Sequence, residues 1–134
     1  MKQKKSGSIP FEFVLEQLFP VNPVVRPMFG CHAIYVGDKM MMMLRNRDDH
    51  TEDNGVWVAV MDEHQESVRK ELPSLRTVQL FGAMKTLWQN LPMDGVSFEE
   101  EVMKACDLVL KKDKRIGKVP GQKKKKGKSG KRRT

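Results

Sequence analysis

Two apolar runs, "CHAIYV" (31–36) and "KMMMMLR" (39–45), are separated only by Gly37 and Asp38. So short a link leaves these runs little choice but a β-hairpin, with glycine supplying the positive φ that the turn needs. With Val36 opposite Lys39, a regular ladder pairs Tyr35 with Met40, Ile34 with Met41, Ala33 with Met42 and Cys31 with Leu44. Paired residues share a face. One face then holds Cys31, Ala33, Tyr35, Met40, Met42 and Leu44, with Phe29 beyond them, and is wholly apolar. The other is mixed, with Ile34, Val36, Met41 and Met43 rimmed by His32, Lys39 and Arg45. A slip of one residue in register would exchange the two sets.

The hairpin sits in a pattern of alternating periodicities. Ser8-Ile9-Pro10 opens a helix, because proline loses no useful N–H in a first turn. Phe11, Val14, Leu15 and Leu18 follow at helical spacing until Pro20 and Pro23 end the run. After the polar connection "NRDDHTEDNG" (46–55), the wholly apolar "VWVAVM" (56–61) reads as a third strand. Asp62 and Gln65 form a capping pattern for a helix from Glu63 to about Leu72. "LRTVQLF" (75–81) and "KTLWQNLP" (85–92) are two further strands, and Ser97 with Glu100 caps a last helix carrying Val102, Met103, Cys106, Val109 and Leu110. The expected order is α-β3-α-β2-α: an α+β fold with helices layered on an antiparallel sheet.

Charge is unevenly distributed along the 134 residues. The net charge is +8, yet residues 111–134 hold 13 of the 25 Lys and Arg and only one of the 17 acids, Asp113. The preceding 110 residues are therefore mildly acidic. From Gly117 onward Val119 is the only apolar residue, too little burial to offset an ordering cost of roughly 1–2 kcal/mol per residue. The expected organisation is a flexible basic N-terminus over 1–8, one α+β domain over 9–112 and a disordered lysine-rich tail over 113–134. No apolar run approaches the roughly 18 residues of a membrane span, and "MKQKKSGS" leads into a stretch holding Glu12 and Glu16, unlike a signal peptide. The two cysteines, Cys31 and Cys106, lie far apart in apolar surroundings without a CxxC partner. Free thiols in a reducing, cytoplasmic setting fit them better than a disulfide framework.

The reactive side chains do not assemble into a site. Cys31 and His32 beside Met40 to Met43 would suit a soft metal, but neighbouring strand residues point to opposite faces. The same methionines serve as core, where flexible thioethers fill irregular gaps. His50 lies among Asp48, Asp49, Glu52 and Asp53 without the spacing of a calcium loop, and that loop is read as solvated. His64, beside Glu63 and Glu66, does not match H-E-x-x-H. No phosphate-binding or nucleophile-elbow motif occurs, and the serines occupy cap, turn and tail settings. Trp57, Trp88 and Tyr35 could stack bases, but each lies in an apolar strand of an acidic body. No metal, cofactor or catalytic residue is therefore expected.

The stretch "RPMFGCHAIYVGDK" (26–39) resembles the N-terminal domain of the TfoX family of competence and Sxy regulators, with matches at Arg26, Met28, Phe29, Gly30, Ile34, Tyr35 and Gly37. Cys31 stands where that pattern has a second glycine. The likeness extends over roughly residues 10–112 and is specific in the hairpin. It implies an α-β3-α-β2-α domain with a type III secretion chaperone-like fold, and a regulatory rather than enzymatic role.

Two functions follow as expectations. In the first, a non-catalytic binding or regulatory domain docks a protein partner, or a second copy, on the mixed hairpin face of Ile34, Val36, Met41, Met43 and Arg45. In the second, the tail cations Lys123, Lys124, Lys125, Lys126, Lys128, Lys131, Arg132 and Arg133 bind nucleic acid without sequence preference. A tail that merely confers solubility remains the alternative. Arg26, at the hairpin's entry, is read as a structural residue.

Overall fold

The computed structural model describes residues 9–82 and 86–120. Helix α1 (Phe13–Gln17) is followed by strands β1 (Val24–Met28), β2 (Cys31–Val36), β3 (Lys39–Arg45) and β4 (Gly55–Ala59). Helix α2 (Gln65–Glu71), strands β5 (Arg76–Thr77) and β6 (Trp88–Pro92), and helix α3 (Phe98–Leu110) complete the order. The strands form one antiparallel sheet, β1-β2-β3-β4-β6-β5. The α+β class is as expected, but the order carries an additional strand, β1.

That strand is hidden in the sequence by its prolines. Proline has no N–H to give a ladder, so within a sheet it is confined to edges, strand starts and bulges. β1 is an edge strand, paired on one side to β2 with Val24 opposite Tyr35 and Met28 opposite Cys31. Pro27 faces His32 in this register, and its nitrogen must point away from β2. The β1–β2 link is the dipeptide Phe29-Gly30, both at positive φ (54° and 74°), the signature of a tight primed turn. Gly30 is needed twice: a Cβ there would also strike the Arg47 guanidinium.

The β2–β3 hairpin forms at Gly37-Asp38, and Val36 pairs with Lys39 and Tyr35 with Met40. Beyond those pairs the regular register fails. A bulge shifts the partners by one, so that Ile34 faces Met42, Ala33 faces Met43 and His32 faces Leu44. Met42 and Leu44 consequently join Ile34 on the helix-covered face, while Met43 joins Cys31 and Ala33 on the other.

The helix-covered core gathers Val14 of α1, Val68 of α2 and Val102 and Cys106 of α3 against Ile34, Leu44 and Val58. Residues 102, 105, 106 and 109 of α3 are all buried, the i, i+3, i+4, i+7 stripe of an amphipathic helix. α1 starts three residues after Pro10 because Phe11 adopts φ 56°. Its ring instead meets Phe98 edge to face at 5.3 Å. The reciprocal bonds of the two capping boxes are not made. Gln65 Nε2 donates to the carbonyls of Val60 (3.0 Å) and Thr86 (3.2 Å), and Ser97 makes no side-chain cap bond.

Among the described residues, the opposite face carries no helix. Trp57, Trp88, Met43 and Ala59 are roofed by Val78, Leu80, Phe81 and Leu87. The Trp57 ring lies 5.9 Å from Trp88 and 6.1 Å from Phe81. The strand expected over 75–81 is therefore reduced to Arg76–Thr77, because the chain leaves the sheet edge to cover these rings.

The domain also extends past the expected boundary at residue 112. Ile116 is fully buried, and residues 116–118 wedge between the ends of β3 and β4. Gly117 N–H donates to the Ala59 carbonyl (2.8 Å), and Met40 and Lys118 exchange backbone bonds of 2.7 and 3.0 Å. One isoleucine and one charged clasp anchor a segment that composition alone reads as tail. Arg115 donates to Glu71 (2.6 Å) and Asp113 (2.8 Å). The Arg115 hydrogen bond holds the Asp113 carboxyl down at about 2. A carboxylate whose pKa falls on folding stabilises above its ordinary pKa of 3.8, and that contribution disappears as pH drops towards 2. Asp113→Ala is thus expected to lower the thermal midpoint at neutral pH, with the gap to the parent closing between about pH 4 and pH 2. Calorimetry across that window checks this, and a gap that persists at the acid end contradicts it.

Candidate functional site

The densest polar constellation lies at the open end of the hairpin, where the register shift carries Arg45 inward. Arg45 is only 2% exposed. Its Nη1 donates to the His50 carbonyl (2.9 Å) and Asn54 Oδ1 (2.8 Å), and its Nη2 to the Asp49 carbonyl (3.0 Å) and carboxylate (3.4 Å). Asn54 completes the loop by accepting from Arg47 N–H (2.9 Å) and donating to the Arg47 carbonyl (2.8 Å). Arg47 ties the loop to the first turn through the Gly30 carbonyl (3.2 Å) and holds the Asp49 carboxyl below its ordinary value. A guanidinium with its five donors in a planar fork thus moulds the chain from Asp49 to Asn54.

The acidic connection is accordingly not the simple solvated loop expected of it. Asp53 is fully buried, and its carboxylate accepts the backbone N–H groups of Gln79 (2.8 Å) and Leu80 (2.7 Å). Its carbonyl accepts Trp57 Nε1–H at 2.8 Å. One acidic side chain therefore pins the roof of the helix-free face to the loop beneath Arg45.

Chemically this constellation is closed. Burial pushes the Cys31 thiol up, against the pull of Arg45 and Arg47, and burial pushes Cys106 up to about 12. Thiols held protonated are poor nucleophiles and poor metal ligands. Cys31 and His32 diverge to opposite faces, as strand alternation requires. His50 and His64 pair with Glu52 (3.9 Å) and Glu63 (3.6 Å), contacts that carry charge only when the imidazole is protonated. Among the described residues no cluster of three or more His, Cys, Asp or Glu is placed to hold a metal ion. Two open hollows are lined by polar residues: one of 380 Å³ by Glu71, Ser97, Glu100, Glu101 and Lys104 among others, and one of 540 Å³ by Asn46, Arg47, Asp48 and Asp49. In the first, Glu101 already accepts two bonds from Ser74, at 3.0 and 2.8 Å.

The docking face expected from the regular register does not form as one surface. Ile34, Met41, Met43 and Arg45 are all buried, and only Val36 is half-exposed. The bulge divides them, with Ile34, Val36 and Met41 packed under the helices and Met43 on the helix-free side. The tail cations Lys123 to Lys126, Lys128, Lys131, Arg132 and Arg133 lie outside the described residues.

The structure instead exposes apolar side chains beside β1: Phe19 at 75%, Phe29 at 65% and Val24 at 47%. The sequence reading gave Phe19 and Val24 no role, since they flank Pro20 and Pro23, which end the first helix, and it placed Phe29 on an apolar sheet face. Their signal was one proline just before a five-residue strand, Pro23, and one within it, Pro27, which marks an edge. Arg26, also exposed, lies with its guanidinium carbon 5.5 Å from the centroid of the half-buried Tyr35 ring. Among the described residues no helix is long and apolar enough to cross a membrane.

Comparison of the chain with protein-family models, with curated proteins and with solved structures gave no match.

Proposed function

We propose that the chain is a non-catalytic, cytoplasmic binding or regulatory domain of the TfoX N-terminal kind, with the secretion chaperone-like fold that this kinship implies, and that it acts by contact with a protein partner or a second copy. What carries the reading is the exposure of three large apolar side chains about β1: Phe19 before it, Val24 at its start and Phe29 just past its end. Exposed apolar side chains that recur about one edge strand are the surface feature an interaction site would use. The contact runs through side chains rather than an added strand. With Pro23 just before β1 and Pro27 within it, the outward edge offers few N–H donors to an incoming chain. Burying a phenylalanine is worth about 1.5–3 kcal/mol. The double variant Phe19→Ser, Phe29→Ser is therefore expected to weaken self-association or partner capture at least tenfold while leaving the thermal midpoint nearly unchanged. Sedimentation velocity and co-purification measure this, and unaltered assembly in both would contradict it.

A second reading rests on a separate observation. Lys118 is pinned to Met40, so the cationic C-terminal run leaves the body from a fixed point on the sheet. With eight cations after Lys118, this run supplies polyanion affinity, and nucleic acid is the proposed partner. Truncation after Pro120 is expected to abolish binding, and affinity of the full chain should fall by about a thousandfold or more between roughly 50 and 200 mM salt. Anisotropy titrations decide it, and truncation without effect would contradict it.

A further inference from the structure

Pairing between β3 and β4 runs from Arg45 with Gly55 to Met42 with Val58 and stops there. Further along, Met40 pairs with Lys118 and Val60 with Ile116, both antiparallel. The wedge of residues 116–118 thus lies between the two strands where a direct pair would otherwise form. Its slot is built of backbone and core together. The Met40 N–H and carbonyl bond to Lys118 (2.7 and 3.0 Å), and the Ala59 carbonyl accepts Gly117 N–H (2.8 Å). Ile116, fully buried, belongs to the helix-covered core. Gly117, at φ 100°, lies so close to Met41 that a Cβ would fall 2.6 Å from its sulfur. An empty slot would leave those backbone groups unpaired and a cavity beneath them, so it requires an occupant of this shape.

The wedge reaches its slot through a hinge at the end of α3. Lys112 N–H bonds to the Val109 carbonyl (2.9 Å) and Asp113 N–H to the Leu108 carbonyl (3.0 Å), a helix-ending reversal that usually has glycine at its left-handed position. Here that position falls to Lys112, at φ 61°, a conformation that residues with a Cβ disfavour. With Lys112 helical instead, Lys111 to Arg115 would continue α3, since lysine and arginine are good helix formers, and Ile116 would be carried away from its own slot. From this arrangement we propose that the slot between β3 and β4 also takes the Ile116–Lys118 wedge of a second copy, so that two chains exchange wedges. Exchange of an identical element remakes between chains what it breaks within each: Ile116 enters the same core and Lys118 meets the same Met40. The hinge sets the balance. Its left-handed lysine favours opening, while the pairs of Arg115 with Asp113 and Glu71 favour the closed form. The contact is separate from the apolar side chains about β1 and does not rest on them.

Cysteines placed on different chains report the exchange. Full chains carrying Met40→Cys are mixed with full chains carrying Lys118→Cys, unfolded and refolded together at high concentration, and then oxidised. Facing residues of an antiparallel pair lie about 5.5 Å apart at Cα, within the reach of a disulfide. Exchange is expected to give a disulfide-linked dimer with one chain of each kind, severalfold in excess of dimers of like chains. Lys112→Gly, which suits the left-handed hinge, should raise the dimer dissociation constant about tenfold or more, and Lys112→Val, whose β-branched side chain resists that conformation, should lower it. Sedimentation equilibrium reads both. A dimer that forms without the mixed disulfide, or whose dissociation constant ignores residue 112, overturns the exchange and leaves the β1 contact standing. A chain that stays monomeric at every concentration overturns the exchange and self-association about β1 together. If the cysteine-bearing chains do not fold, the two Lys112 variants decide alone.

Discussion

Met41 is one residue more than β2 can match, and much of the domain's inner arrangement follows from where that surplus goes. The bulge absorbs it next to the Tyr35–Met40 pair. From there each residue of β3 faces the side opposite to the one a regular ladder would give it. Met42 and Leu44 turn to the helices, and Met43 packs beside Trp57. Arg45 comes beside Cys31, inside the protein. Met41 itself lies against Gly117, where a Cβ would fall 2.6 Å from its sulfur. The surplus residue therefore also helps to seat the C-terminal wedge that extends the domain beyond α3.

Burying a cation is costly unless its donors are met. Arg45 meets most of them with carbonyl oxygens of the loop it organises. The hydrogen bonds between Arg45 and the loop thus offset both the cost of desolvating the cation and the cost of ordering the loop. The same arrangement leaves little for a ligand to do at that end of the sheet. Its acceptors are occupied, its thiol is held protonated and its arginine is sealed. The large exposed apolar side chains lie away from it, Phe19, Val24 and Phe29 about β1 among them.

Much of this was legible in the sequence. The Gly37-Asp38 turn, the strand at Val56, the stripe of α3 and the burial of both cysteines follow from periodicity and turn chemistry. What was not legible has specific causes. A bulge leaves no mark in a run of four methionines, because each is acceptable on either face. Prolines that argue against an interior strand are what an edge strand tolerates, so β1 was read as a break. Ile116 and Arg115 look like tail until Glu71 and the splayed ends of β3 and β4 are brought to them. Asp53 looks solvated until the backbone N–H groups of Gln79 and Leu80, far along the chain, arrive to be capped. The last two misses involve partners distant in sequence, which local pattern does not encode.

The displaced register is the central claim, and backbone NOEs across the β2–β3 hairpin test it most directly. The account predicts cross-strand contacts linking Ala33 with Met43 and His32 with Leu44. Contacts linking Ala33 with Met42 and Cys31 with Leu44 would contradict it. In that case Arg45 would face the other way, and Met41 and Met43 would again share one face.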